Sequence, residues 1–200
     1  MRRWQRPHWR DFHGRWQMGI RWGWALLMAG LAGCASLTPE QCHQADWYAL
    51  GERDALGGFE PGSISRHVRA CGKAGVVPDH GLWRAGYQDA LPRFCAPDNG
   101  FRLGARDANY HGQCPQELDY GFLDGYRLGQ DIYDLRRRIT EVEGRISELR
   151  ESMNDEHATD VSREADRHWL DHYKDERRRL QRQVWDLESR ARERGYPATY

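Results

Sequence analysis

Residues 83–90 read WRAGYQDA, and residues 48–55 read YALGERDA. Each is an aromatic, two residues, a glycine, two residues, then Asp-Ala. The spacing returns at Phe101-x-x-Gly104-x-x-Asp107-Ala108, and at Phe122-x-x-Gly125 with Leu128-Gly129 in place of Asp-Ala. The copies begin 35, 18 and 21 residues apart, which is too irregular for a solenoid. Positions i, i+3 and i+7 of a helix share one face, so each copy sets an aromatic, a glycine and a small residue side by side. Glycine inside a helix costs about 1 kcal/mol relative to alanine. A chain that repeats it uses the missing Cβ to bring another backbone or ring close. Gly51, Gly86, Gly104 and Gly125, with Asp54, Asp89 and Asp107, thus read as a helix-packing repeat.

The same stretch holds Cys42, Cys71, Cys95 and Cys114. An even count reads as two disulfides in a chain that is exported, as the leader read below implies. The paired C-x-x-C spacing of a zinc site is absent. Three connectivities are open, and the sequential one, Cys42–Cys71 with Cys95–Cys114, closes two short loops. Each bond would contribute about 3 kcal/mol by loop entropy, in a region poor in large aliphatic residues. Thr38-Pro39-Glu40-Gln41 reads as a capping box that opens the region.

After Gln130 the composition turns charged and aliphatic. Ile132, Leu135, Ile139, Val142, Ile146, Leu149 and Met153 follow one another in steps of three and four, a coiled-coil seam. A polar stretch at 154–160 separates it from a second stripe: Leu170, Tyr173, Arg177, Leu180, Val184, Leu187, Ala191. The first helix is expected over 116–153 and the second over about 161–195, ended by Gly195 and Pro197. Gly121, Gly125 and Gly129 form a strip open to close approach. A lone helix cannot cover its stripe, so two in series predict an antiparallel hairpin, with pairing of two copies as the alternative. The expected fold is mainly α: a small disulfide-stapled, helical and loop-rich region at 39–115, then a long helical hairpin arm at 116–200.

Cys42, Trp47, Gly51-x-x-Asp54-Ala55, His67-x-x-x-Cys71, Tyr87, Phe94-Cys95, Gly100, Gly104 and Cys114-Pro115 carry a resemblance. Over roughly residues 40–150 the chain resembles a Gram-negative lipoprotein family, domain of unknown function 2799. The resemblance implies an envelope location and hints at the fold. It implies no reaction, and no functional residue carries over from it.

The leader agrees with that location. Arg2, Arg3, Arg6, Arg10, Arg15 and Arg21 precede an uncharged apolar run from Trp22 to Gly33. At about a dozen residues the run is shorter than the ~20 a membrane span needs. Basic start, apolar middle and small residues at the cut make residues 1–33 a signal peptide; Met18 offers a start of more ordinary length. Leu31-Ala32-Gly33-Cys34 resembles the lipobox of bacterial lipoproteins. That resemblance implies cleavage before Cys34, its lipidation, and a tether at 34–38. Ala35, where inner-membrane lipoproteins often carry Asp, favours the outer membrane. More than one acyl chain anchors stably.

Past residue 33 the chain keeps 24 of its 30 Lys and Arg and 29 of its 30 Asp and Glu, a balance of −5. No basic face is left to suggest nucleic acid, and membrane contact is expected through the anchor alone. No H-E-x-x-H, G-x-S-x-G or EF-hand pattern occurs. No cofactor and no metal are therefore expected. The expected role is structural or interactive in the envelope, with a protein partner on the hairpin. The alternative is a periplasmic enzyme using Asp54, Asp89 and Asp107 with His43 or His67, or a metal-binding protein using His168 and His172. What separates these readings is whether the aspartates face one cavity or each cap a separate turn.

Overall fold

A computed structural model describes residues 37–196. The leader, Cys34 and Pro197 lie outside the described residues. Seven α-helices follow in order, and the described residues contain no strand: α1 (Pro39–His43), α2 (Trp47–Leu56), α3 (Ile64–Gly72), α4 (His80–Phe94), α5 (Pro97–Gly104), α6 (Gln116–Asn154) and α7 (Asp160–Glu193). A single 3₁₀ turn, Pro61–Ser63, leads into α3.

The helix starts follow from local chemistry. Thr38 and Gln41 close the expected capping box, each side chain bonding the other's backbone N–H. Asp46, Asp79 and Thr159 cap α2, α4 and α7 through the N–H groups of Ala49, Leu82 and Ser162. Each of these bonds answers one of the four donors that a helix start leaves unpaired. At the far end of α7, Gly195 takes φ 74°, and the N–H of Tyr196 reaches back to the carbonyl of Ala191. That is the Schellman closure that a glycine permits.

The head is two crossed helix pairs, α2 with α4 and α5 with α6. The sequential disulfides are present. Cys42–Cys71 ties α1 to α3, and Cys95–Cys114 ties the end of α4 to the entry of α6. Phe94 and Phe122 stack 5.6 Å apart between the two pairs, with Tyr110 4.5 Å from Phe122. Such ring pairs contribute about 1 kcal/mol beyond the area they bury.

The arm is the antiparallel hairpin. Helix α6 runs 39 residues, about 58 Å at 1.5 Å per residue, and α7 runs 34. Val142, Ile146, Leu170 and Leu180 form its buried core, flanked by Ile139, Leu149, Met153 and Tyr173. Arg177 occupies a seam position, as the stripe predicts. Its guanidinium reaches Glu143 at 3.9 Å, and its buried Nε finds no partner.

The boundary at 115/116 falls at the start of α6, and packing crosses it. The first half of α6 belongs to the head, with Phe122 fully buried in the head core. Phe101 of α5 packs with Leu128, Ile132, Leu187 and Ala191, and stacks on Tyr196 at 5.0 Å. Head and arm therefore share one continuous helix.

Candidate functional site

The repeat works through carbonyl groups. A Cβ built on Gly51 would stand 1.9 Å from the carbonyl oxygen of Trp83, and one on Gly86 would stand 2.0 Å from that of Tyr48. The relation is reciprocal: each glycine meets the aromatic three residues before the other. Helices α5 and α6 repeat it twice. A Cβ on Gly100 would stand 2.2 Å from the carbonyl oxygen of Phe122, and one on Gly125 would stand 2.2 Å from that of Pro97. One turn on, a Cβ on Gly104 would stand 2.0 Å from the carbonyl oxygen of Tyr126, and one on Gly129 would stand 2.3 Å from that of Phe101. In the first pair the corresponding turn carries Ala55 and Ala90, both fully buried. Three reciprocal contacts at two crossings thus set backbone against backbone, close enough for Cα–H groups to approach carbonyl oxygens.

The pairing is not the one that the alignment of the copies gives. Aligning the copies by their aromatics makes Gly104 and Gly125 equivalent, yet they are not partners. Gly104 meets the turn of Gly129, and Gly125 meets the turn of Gly100. Gly121 touches only the side chain of Pro97.

The three repeat aspartates do not converge. Asp54 is 5 % exposed and joins three elements. Its carboxylate accepts from Trp83 Nε1 at 3.0 Å, His67 Nε2 at 2.8 Å, Arg66 at 3.3 Å and Ser63 Oγ at 3.4 Å. Burial pushes its pKa up. The hydrogen bond and charge of His67, with Trp83 and Arg66, outweigh this and hold the carboxyl below its ordinary range. Asp89 instead accepts from Tyr48 Oη at 2.7 Å at the surface. Asp107 sits in the turn after α5 with φ 54°, a left-handed conformation that Asp tolerates. Among the described residues none of the three caps a neighbouring N–H, and each has a different environment.

Asp54 and His67 make a carboxylate–imidazole pair, the geometry that orients a general base. The carboxylate is already taken up by four donors. Ser63 bonds the carboxylate rather than the imidazole, so no hydroxyl is placed for activation. An apolar cleft of ≈ 230 Å³ lies nearby, walled by Pro61, Ile64, Trp83, Tyr87 and Leu91, and neither Asp54 nor His67 lines it. The arrangement serves to lock α2, α3 and α4 together. His67 also meets Trp47 edge-on at 6.3 Å.

His43 is exposed in the last turn of α1. His168 and His172 flank Trp169 on the exposed side of α7. Among the described residues, no three His, Cys, Asp or Glu side chains converge as a metal site requires. No helix among them is long and apolar enough to cross a membrane.

Sequence reasoning missed the loop that closes the head. Gln113, 7 % exposed, donates to the carbonyl of Gly58 and accepts from the N–H of His111. Tyr110 donates to Asp119 and accepts from the N–H of Cys114. Burial and the Asp119 bond push its phenol up to about 12. Nothing in the local pattern marks these residues, because Gly58 and Asp119, the partners that tie the loop to the head, lie in other elements.

A family described as "Protein of unknown function (DUF2799)" matches residues 46–131. That segment of the chain belongs to this family. The DUF2799 segment opens at the Asp46 cap of α2 and closes two residues past Gly129, so it contains every glycine crossing. Cys42 and the arm beyond residue 131 lie outside it. No curated protein and no solved structure matches the chain.

Proposed function

We propose that the protein is an envelope lipoprotein that anchors through Cys34 at the outer membrane and acts by protein interaction through its hairpin arm. The observation that carries this reading is α6. One unbroken helix belongs to the cross-linked head and to the arm, so whatever fixes the head also fixes the arm. Leu37 packs against the head core, and Ala35 and Ser36 are the two residues that separate it from Cys34 in the sequence. A lipid on Cys34 would hold the head directly on the membrane surface. The Asp54 carboxylate is spent on locking three helices, and that weakens the enzymatic alternative.

Metabolic labelling with a fatty acid tests the anchor. The wild-type chain should take up label and pellet with the outer membrane. Cys34→Ser should take up none and accumulate as precursor. Label on the variant, or none on the wild type, would remove the anchor from the account.

A further inference from the structure

The end of the head that follows the tether carries an exposed apolar tip. Its place follows from the crossing of α2 and α4. Gly51 is the fifth residue of α2 and Gly86 the seventh of α4, and the helices cross at these glycines. Both helix starts therefore stand within about 10 Å of the crossing, at 1.5 Å per residue, and share one end of the head. Helix α1 directly precedes α2 there, and the Cys42–Cys71 bond brings the last turn of α3 to it, with a Cα separation of 5.4 Å. Helix α3 then stops in a second Schellman turn: Gly75 takes φ 70°, its N–H reaches the carbonyl of Gly72 at 3.2 Å, and that of Val76 reaches the carbonyl of Cys71 at 3.0 Å. The turn packs Val76 against the head core and leaves Val77 outside, 85 % exposed. Leu82, in the first turn of α4, is 51 % exposed. Arg69, Lys73 and Arg84 are exposed on the flanking turns of α3 and α4. The acids of this end are Asp46 and Asp79, whose carboxylates cap α2 and α4, and Glu40 on α1.

We infer that this tip, Val77 with Leu82, enters the phospholipid surface of the bilayer as a second membrane contact beside Cys34. The inference rests on the anchor proposed above. Cys34 lies three residues from Leu37, a reach of at most about 11 Å. An anchor there keeps the tip beside the bilayer, and a tether this short gives even a weak contact an effective concentration of about millimolar. Val77 and Leu82 gain by leaving water. The stems of the flanking Lys and Arg lie along the interface while their charged heads stay hydrated. Charge sets which end faces the lipid. At the far end of the arm, residues 151–166 hold six acids against one base, Arg163. An anionic surface disfavours contact with that tip within a Debye length, so the arm projects away from the bilayer. The net balance of −5 conceals this difference between the two ends, and the lipid is then not the sole membrane contact that the balance suggests.

The test is hydrogen exchange of residues 34–200, which contain every described residue, coupled through the Cys34 thiol to vesicles of phosphatidylethanolamine and phosphatidylglycerol that carry a maleimide lipid. Cys34 is the one cysteine outside the two disulfides. The coupling therefore works whether or not a cell lipidates Cys34, and a failed fatty-acid label leaves this test intact. The same chain with Cys34→Ser, free in solution, is the reference. Exchange across 74–82 should slow roughly threefold or more on the vesicles, while 154–159 at the arm tip should exchange as in solution. Val77→Asp with Leu82→Asp should abolish the slowing. Both side chains are exposed, and circular dichroism equal to wild type excludes misfolding as the cause. Equal exchange of 74–82 on vesicles and in solution would overturn the inference. So would a slowing that survives the double substitution, or one just as large at the arm tip.

Discussion

In the head, helices meet where side chains are missing; in the arm, they meet where side chains are large. The α2–α4 and α5–α6 crossings bring carbonyl groups to positions a methyl group would otherwise fill. That packing is intolerant, because its neighbours are backbone atoms that cannot rotate away. The arm joins Val142, Ile146, Leu170 and Leu180 across a seam and adds ion pairs at its edges. Exposed pairs of this kind contribute little, in the range of about 0–1 kcal/mol. The head adds two disulfides and a buried carboxylate hub, and the arm has neither. One helix thus runs from a region specified by absent atoms into one specified by apolar bulk.

Breaking the arm alone gives the largest expected effect. Ile146 is 2 % exposed at the centre of the seam. Ile146→Asp buries an unpaired charge and should destabilise the hairpin by about 4 kcal/mol. Limited proteolysis should then clip α6 beyond about Leu135 and remove α7, while the fragment up to Gly129 stays protected by α5 and the disulfides. Equal rates of digestion in both regions would mean that the shared helix couples them into one cooperative unit.

Breaking the head at its polar hub comes next. Asp54→Ala leaves Trp83 Nε1 and His67 without their acceptor and should cost about 3 kcal/mol. The same group predicts a pH dependence. Its folded pKa lies below the unfolded value, so its contribution is present above about pH 4 and is lost as pH falls through the folded pKa. Thermal unfolding of the wild type should therefore show an acid-side loss that is smaller in Asp54→Ala. Identical acid slopes in the two proteins would remove Asp54 from the head's stability.

The two regions also differed in how far the sequence disclosed them. The seam was legible position by position, because a stripe of Ile, Leu and Val needs only the helical period. The glycine copies announced close packing, since four such costs in one segment imply a common use. Their pairing was hidden: which carbonyl Gly104 meets depends on the crossing point of α5 and α6, and GxxxG at 100–104 and at 125–129 was the signal that could have given it. The role of Asp54 was hidden for the same reason, because Trp83 and His67 come from two other helices. The third residue of the repeat motif therefore looked uniform, while Asp54, Asp89 and Asp107 have three unrelated environments.

Helix α6 itself offers the most direct test, because it carries a glycine of each kind. A Cβ on Gly125 would stand 2.2 Å from the carbonyl oxygen of Pro97, whereas one on Gly144 would meet nothing within 4 Å. Alanine at both positions gains the same helix propensity, about 1 kcal/mol. Gly125→Ala must also push α5 away, at about 3 kcal/mol or more. Denaturant unfolding of the two single variants against wild type is the measurement. The account predicts opposite signs: Gly144→Ala stabilised by up to about 1 kcal/mol, and Gly125→Ala destabilised by about 2 kcal/mol or more. A Gly125→Ala variant as stable as Gly144→Ala would contradict the claim that absent side chains hold the head together.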